Sequence, residues 1–308
     1  MIHRRLLSSF LSAALATGVA HAADDPRATL LVDAKALAAH IDDADLVLLH
    51  VGDADEYAKG HIPGARLVTL DDISVSEHTA TGLMLEMPGD EDLRARLQKL
   101  GISDASHVVV YYGKDWVSPS TRVVFTLQYA GLGERTQLLD GGMGAWVRAG
   151  GALSAKAPTI AAGTLSPLRT QDLIVDAAKV RAQLHTPGVA IVDGRAAAYY
   201  DGVETGGAHG FTHRTGHIEG AHSIPFTEIT DERMQLRPDA ELRALFTKAG
   251  VKPGDTVVGY CHIGQQATAM LFAARLLGHP VKLYDGAFED WSRGKENPVE
   301  ASPASGQP

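Results

Sequence analysis

The chain of 308 residues is 45% hydrophobic and 21% charged, which excludes a disordered, collagenous or disulfide-stapled small protein and leaves room for two domains, each with its own core. With 28 Lys and Arg against 37 Asp and Glu the net charge is −9, and the one basic run is His3-Arg4-Arg5, which argues against nucleic acid as a partner. The single cysteine, Cys261, excludes an intramolecular disulfide. Read from its start, the chain opens as an export signal: the basic residues, an apolar run from Leu6 to Ala20, and small residues at Ala20 and Ala22 that place cleavage after Ala22. The run is too short and too interrupted by serine to span a bilayer, and Ala23 rather than a cysteine follows the cut. The expected location is therefore the periplasm or the outside of the cell, with the general and twin-arginine routes both open and no stable membrane insertion once the signal 1–22 is removed.

The next elements alternate as in an α/β unit. An amphipathic stretch at 34–41 precedes the apolar run Leu46–Val51, and a second at 90–100 precedes the run 108–112. The pattern returns at 177–184 before 190–193, and at 239–249 before Thr256–Tyr260. Apolar runs without alternation suit parallel strands covered on both faces, while Gly101 and Gly250 stop the helices before them. A doubly wound parallel sheet flanked by helices is predicted in each half. The Gly, Ala, Ser and Pro of 151–171 read as a linker, giving domains at 23–150 and 172–296, and the aperiodic tail 297–308 is expected to be loose.

Self-comparison strengthens this division. Tyr57 followed by Gly60-His61-Ile62-Pro63-Gly64-Ala65 matches Tyr200 followed by Gly216-His217-Ile218-Glu219-Gly220-Ala221. Val108-Val109-Val110-Tyr111-Tyr112 matches Val257-Val258-Gly259-Tyr260-Cys261, and Leu138-Leu139-Asp140-Gly141-Gly142 with Trp146 matches Leu283-Tyr284-Asp285-Gly286-Ala287 with Trp291. Three matches in one order make the chain a tandem repeat of one α/β unit.

Cys261 ends the strand Thr256–Tyr260, and Ala267, Met270, Leu271, Ala274 and Leu277 repeat at helical spacing just after it. Cys261, His262, Ile263, Gly264, Gln265 and Gln266 must then turn tightly between strand and helix, with Gly264 permitting the turn. Backbone N–H groups of such a loop converge on the sulfur, and the helix dipole points at it. Both are expected to favour thiolate and to hold any anion attached there. An exported lone thiol at the carboxyl end of a strand reads as a nucleophile rather than as core filler.

Strand, Y-C-H-I-G-Q-Q-A and helix, with G-H-I-E-G-A before and L-Y-D-G-A-F-E-D-W after, resemble the tandem-domain rhodaneses, the thiosulfate and 3-mercaptopyruvate sulfurtransferases. The resemblance covers essentially the whole chain after the signal. It implies two rhodanese-like domains, the second catalytic and the first degenerate. Cys261 would carry a persulfide taken from a small anionic donor and pass it to a thiophilic acceptor such as cyanide or a thiol. His262, Ile263, Gly264, Gln265 and Gln266 would form the stabilising loop, with no cofactor and no metal.

Several positions depart from or extend this pattern. The loop has His262 and Ile263 where thiosulfate-type members carry basic residues and mercaptopyruvate-type members small ones, so the donor stays open. Of two arginines implied near the preceding strand end, Arg195 fits the first and is expected to bind the donor's anionic group, with a surface salt bridge as the alternative; the second falls near Tyr199. Domain one has Tyr112 in place of the thiol, and Asp115, Trp116 or Arg122 could reach the cleft between domains. Segment 201–215 holds thirteen residues more than its counterpart, rich in glycine and with His209 and His213, and suggests a lid over the donor. With His217 and His222 nearby a metal site comes to mind, but the irregular spacing and the duplication of His217 by His61 argue against it. A persulfide carrier serving a partner protein is the alternative function. A phosphatase or arsenate reductase would need an arginine six residues after the cysteine, and that position is Ala267.

Overall fold

Apolar runs become strands here because helices cover both faces of each sheet and leave no polar side. The computed structural model describes residues 25–114, 116–208 and 210–301, so the segment 1–22 expected to be an export signal, Asp115 and His209 lie outside the described residues. In chain order the strands are β1 (Leu31–Val32), β2 (Leu46–Val51), β3 (Arg66–Val68), β4 (His107–Tyr112), β5 (Thr136–Leu139), β6 (Ile174–Val175), β7 (Val189–Asp193), β8 (Gly207–Ala208), β9 (Phe211–Thr212), β10 (His217–Ile218), β11 (His222–Ser223), β12 (Thr256–Tyr260), β13 (Val281–Tyr284) and β14 (Val299–Glu300). The two main sheets are parallel and five-stranded, in the orders β1-β5-β4-β2-β3 and β6-β13-β12-β7-β11. Counted within each half, the two orders are the same, as a duplication requires.

Local chemistry sets the helix ends. Asp33, Asp53 and Asp176 cap helices through their carboxylates, and Gly101 and Gly250 follow the helices Asp90–Lys99 and Asp239–Lys248 with φ of +74° and +95°, where a side chain would be strained. The Gly-His-Ile turn is built identically twice. Tyr57 stacks on His61 at 3.8 Å and Tyr200 on His217 at 3.6 Å, and each imidazole Nδ1 donates to its tyrosine's carbonyl.

The two domains share one apolar core, in which the helix Val117–Tyr129 lies on the helix Gln266–Leu276. Around it the contacts obey a pseudo-two-fold. Met87 N–H donates to Asp285 Oδ2 at 2.6 Å, and Leu236 N–H donates to Asp140 Oδ1 at 2.8 Å. Leu85 and Met234, both at positive φ, offer their carbonyls to Arg122 and Tyr112 respectively. The segment after domain one is tied to that domain, with Gly163 N–H on Gln98 O and Gln171 N–H on Tyr129 O, both at 2.8 Å.

One expectation needs correction. The tail is anchored as far as Glu300: β14 pairs antiparallel with β10, and Trp291 Nε1–H donates to Pro298 O at 3.0 Å, while 302–308 lie outside the described residues. An indole N–H and a strand edge that are both buried need partners, and aperiodic sequence supplies them as well as periodic sequence does. Among the described residues no helix is long and apolar enough to cross a membrane.

Candidate active site

Cys261 follows β12 directly and is fully buried. The backbone N–H groups of Ile263, Gly264 and Ala267 point at its sulfur, and the helix Gln266–Leu276 begins just beyond. Gly264 sits at φ +79°, and a Cβ there would come within 3.0 Å of Asp285 O. The loop is also held from behind: Phe288 N–H donates to Cys261 O and Glu289 N–H to His262 O.

The expected preference for thiolate is not found in this arrangement. Burial pushes the thiol above its ordinary value, Asp193 adds to the rise, and the three amides offset only part of it. The amides nevertheless stand where a negative sulfur would need them, because they are fixed by backbone and cost nothing to reorient.

Around the thiol lie residues of both domains. His262 is half-buried, with Tyr199 edge-on at 4.5 Å and the His213 ring at 5.7 Å. Burial, with Arg195 nearby, lowers His262 to about 3 and His213 to about 4, so both imidazoles are neutral near pH 7. Ile263 is half-buried, Gln265 Nε2–H donates to Ser118 Oγ at 3.2 Å, and Gln266 opens the helix. Domain one contributes Arg122, wholly buried, which donates from Nη1 to Gly264 O at 3.0 Å and to Asp285 Oδ1 at 2.8 Å. Trp116 is 55% exposed and meets Phe226 edge-on at 5.7 Å. Tyr112, in the thiol's place in domain one, is buried with its hydroxyl on Met234 O at 2.5 Å.

Arg195 departs from the surface salt bridge given as its alternative reading. It is 1% exposed, so it is no surface salt bridge, and its fork closes on Asp193 with contacts of 2.6–3.0 Å while Nη2 also donates to Gly216 O at 2.7 Å. Its guanidinium lies 4.1 Å over the Phe288 ring. The charge is thus balanced before any donor arrives. Asp193 escaped the sequence reading although a signal existed: strand register sets Asp193 and Arg195 where domain one has His50 and Gly52. The charged pair and the thiol are therefore both peculiar to the second domain.

The described histidines near the insertion have other surroundings. His217 is turned to Tyr200 O, His222 lies on β11 beside Gly250, and among the described residues no group of three or more metal-ligating side chains forms.

The family profile described as the rhodanese-like domain matches residues 33–149 and again 176–294. The chain belongs to this family, as a tandem-domain enzyme of the rhodanese type. It is 31% identical to the 3-mercaptopyruvate sulfurtransferase of Escherichia coli K12 over 283 residues, 88% of this chain and 98% of that protein. It is 27% identical to the thiosulfate sulfurtransferase of Pseudomonas aeruginosa over 274 residues, 88% and 97% of the two chains. Among solved structures, that of wild-type EanB matches with a TM-score of 0.79 at 24% identity, covering 91% of this chain and 70% of that one. The crystal structure of YnjE matches at 0.75 and 25% identity, covering 85% and 64%.

Proposed function

We propose that the protein is a sulfurtransferase that carries sulfane sulfur as a persulfide on Cys261, from a small anionic donor to a thiophilic acceptor, after export to the periplasm or beyond. The observation that carries this reading is the ring of Ile263, Gly264 and Ala267 amides around a sole, buried thiol. Cys261 loses its proton and attacks the outer sulfur of thiosulfate. The new S–S bond forms as the donor's S–S bond breaks, and sulfite leaves with the electron pair. With 3-mercaptopyruvate the C–S bond breaks instead, and pyruvate leaves as its enolate and takes up a proton. The persulfide's terminal negative charge then lies among the loop amides, which offset part of the cost of burying it. Cyanide, or a thiolate, attacks the outer sulfur, and the electron pair of the breaking S–S bond returns to Cys261. Relatives named for 3-mercaptopyruvate and for thiosulfate support the donor class without choosing between the two.

The test is intact mass after exposure to each donor. The parental protein should gain one sulfur atom and lose it on adding cyanide, and Cys261→Ser should gain none. Turnover by the serine variant would refute the mechanism, and loading from a partner protein but from neither free donor would favour the carrier reading.

A further inference from the structure

The site described above holds a thiol, backbone amides, the His262 ring and an arginine already closed on Asp193, yet the donors proposed for it are anions. A further group to meet them comes from the insertion. His213 is 4% exposed, and neither ring nitrogen has a hydrogen-bond partner. Buried polar atoms are rarely left so in a finished site, and an imidazole always carries at least one N–H to give. The ring faces His262 of the cysteine loop at 5.7 Å and stands 5.9 Å from Phe288, the residue over which Arg195 lies.

The chain is shaped to bring that ring in. A Cβ on Gly206 would lie 2.7 Å from the His262 ring and 3.2 Å from His213 Nδ1, although its φ needs no glycine. Glycine is there for space between the two imidazoles. Gly202 and Gly216, at φ +77° and +103°, bracket the excursion, and a Cβ on Gly202 would lie 3.6 Å from Gly216 N, so its two ends meet. The Tyr-His stack at its base is the same as in domain one, which has no excursion and no thiol. The insertion is therefore an addition to a complete frame, made only in the domain that carries Cys261.

We propose that His213 is a specificity-determining residue of the Cys261 site, its imidazole giving the hydrogen bond that receives the oxyanion end, sulfonate or carboxylate, of the small sulfur donor. This rests on the sulfurtransferase reading. An imidazole N–H brought in by the insertion selects donors by an acceptor oxygen at a fixed position rather than by charge alone, and a site built around such a bond discriminates strongly against molecules that lack the acceptor.

The test separates the two half-reactions. His213→Leu should raise the KM for loading from thiosulfate and from 3-mercaptopyruvate by roughly tenfold to a hundredfold, with cyanide discharging the preloaded persulfide within about twofold of the parental rate. His213→Gln, which keeps an N–H of similar reach, should recover most of the loss. Deleting 203–215 joins Gly202 to Gly216, restores the spacing found between Tyr57 and Gly60, and should load as poorly as His213→Leu; it decides the matter if the leucine variant does not fold. Unchanged loading by His213→Leu or by the deletion overturns the proposal. So does equal damage to both half-reactions without rescue by glutamine, which would make His213 a prop for the loop. If the parental protein loads from neither donor, the sulfurtransferase reading fails by itself. Alkylation of Cys261 by iodoacetamide then still reports on the insertion: faster reaction in the deletion variant keeps His213 before the thiol, and an unchanged rate removes it.

Discussion

Arg195 and Asp193 are the residues whose removal should be felt most in the fold. The pair is buried on both sides and bidentate, and Asp193 also receives the Arg195 backbone N–H at 2.9 Å. A buried pair of this kind adds little over an apolar pair, but breaking it strands a charge. Arg195→Ala should therefore lower unfolding free energy by about 3–5 kcal/mol, read from urea denaturation, because Asp193 is left without its counter-ion. Arg195→Met in combination with Asp193→Asn should recover a large part of that loss. A cost below about 1 kcal/mol for the single change would mean that water reaches Asp193, and would free the guanidinium for the donor after all.

The cysteine loop works as one element, and Gly264 is its pivot. A side chain there would have to adopt a left-handed conformation costing roughly 1–2 kcal/mol, and would press on Asp285 O at 3.0 Å while crowding Arg122 at 3.2 Å. Gly264→Ala should thus lower the melting temperature only modestly but reduce persulfide loading by an order of magnitude or more, because the Ile263 and Gly264 amides turn away from the sulfur. Intact-mass loading curves beside thermal melts check this, and normal loading would show that the amide ring is not what holds the persulfide. Legibility in the sequence follows range of interaction. The strands Leu46–Val51 and Thr256–Tyr260, the glycine helix stops and the cysteine turn are dictated within a few residues, and all were readable. Arg122 reaching Gly264, and Leu85 and Met234 crossing the pseudo-two-fold, depend on how two domains dock, which no local pattern encodes. The direction of the Cys261 shift was misjudged for a related reason: amide count is local, whereas burial is the work of the whole fold.

At the scale of the whole molecule, the same burial makes stability depend on pH. His50 and His213 are lowered to about 4 and His262 to about 3, each chiefly by burial. In the unfolded chain these three imidazoles titrate near 6.5, so between pH 6.5 and 4 the unfolded state holds protons that the folded state refuses, and acid favours unfolding. Glu86 acts in the opposite sense. Burial and the carboxylates of Asp285 and Asp290 push it up to about 7, so from pH 7 down to the ordinary glutamate value the folded state holds a proton that the unfolded state lacks. Among these four groups, three against one leave a net uptake on unfolding of roughly two protons near pH 5.5, or about 2–3 kcal/mol of stability lost per pH unit. Urea midpoints taken at pH 6.5 and 5.0 should accordingly fall by an amount equivalent to about 3 kcal/mol. Glu86→Gln should steepen the fall, because the opposing carboxyl is gone, and His213→Leu should make it shallower by about half, because the net uptake drops from roughly two protons to one. A flat profile in the parental protein would mean that His213 and His262 take up protons in the folded state, and the donor would then meet a cationic pair in place of the neutral one.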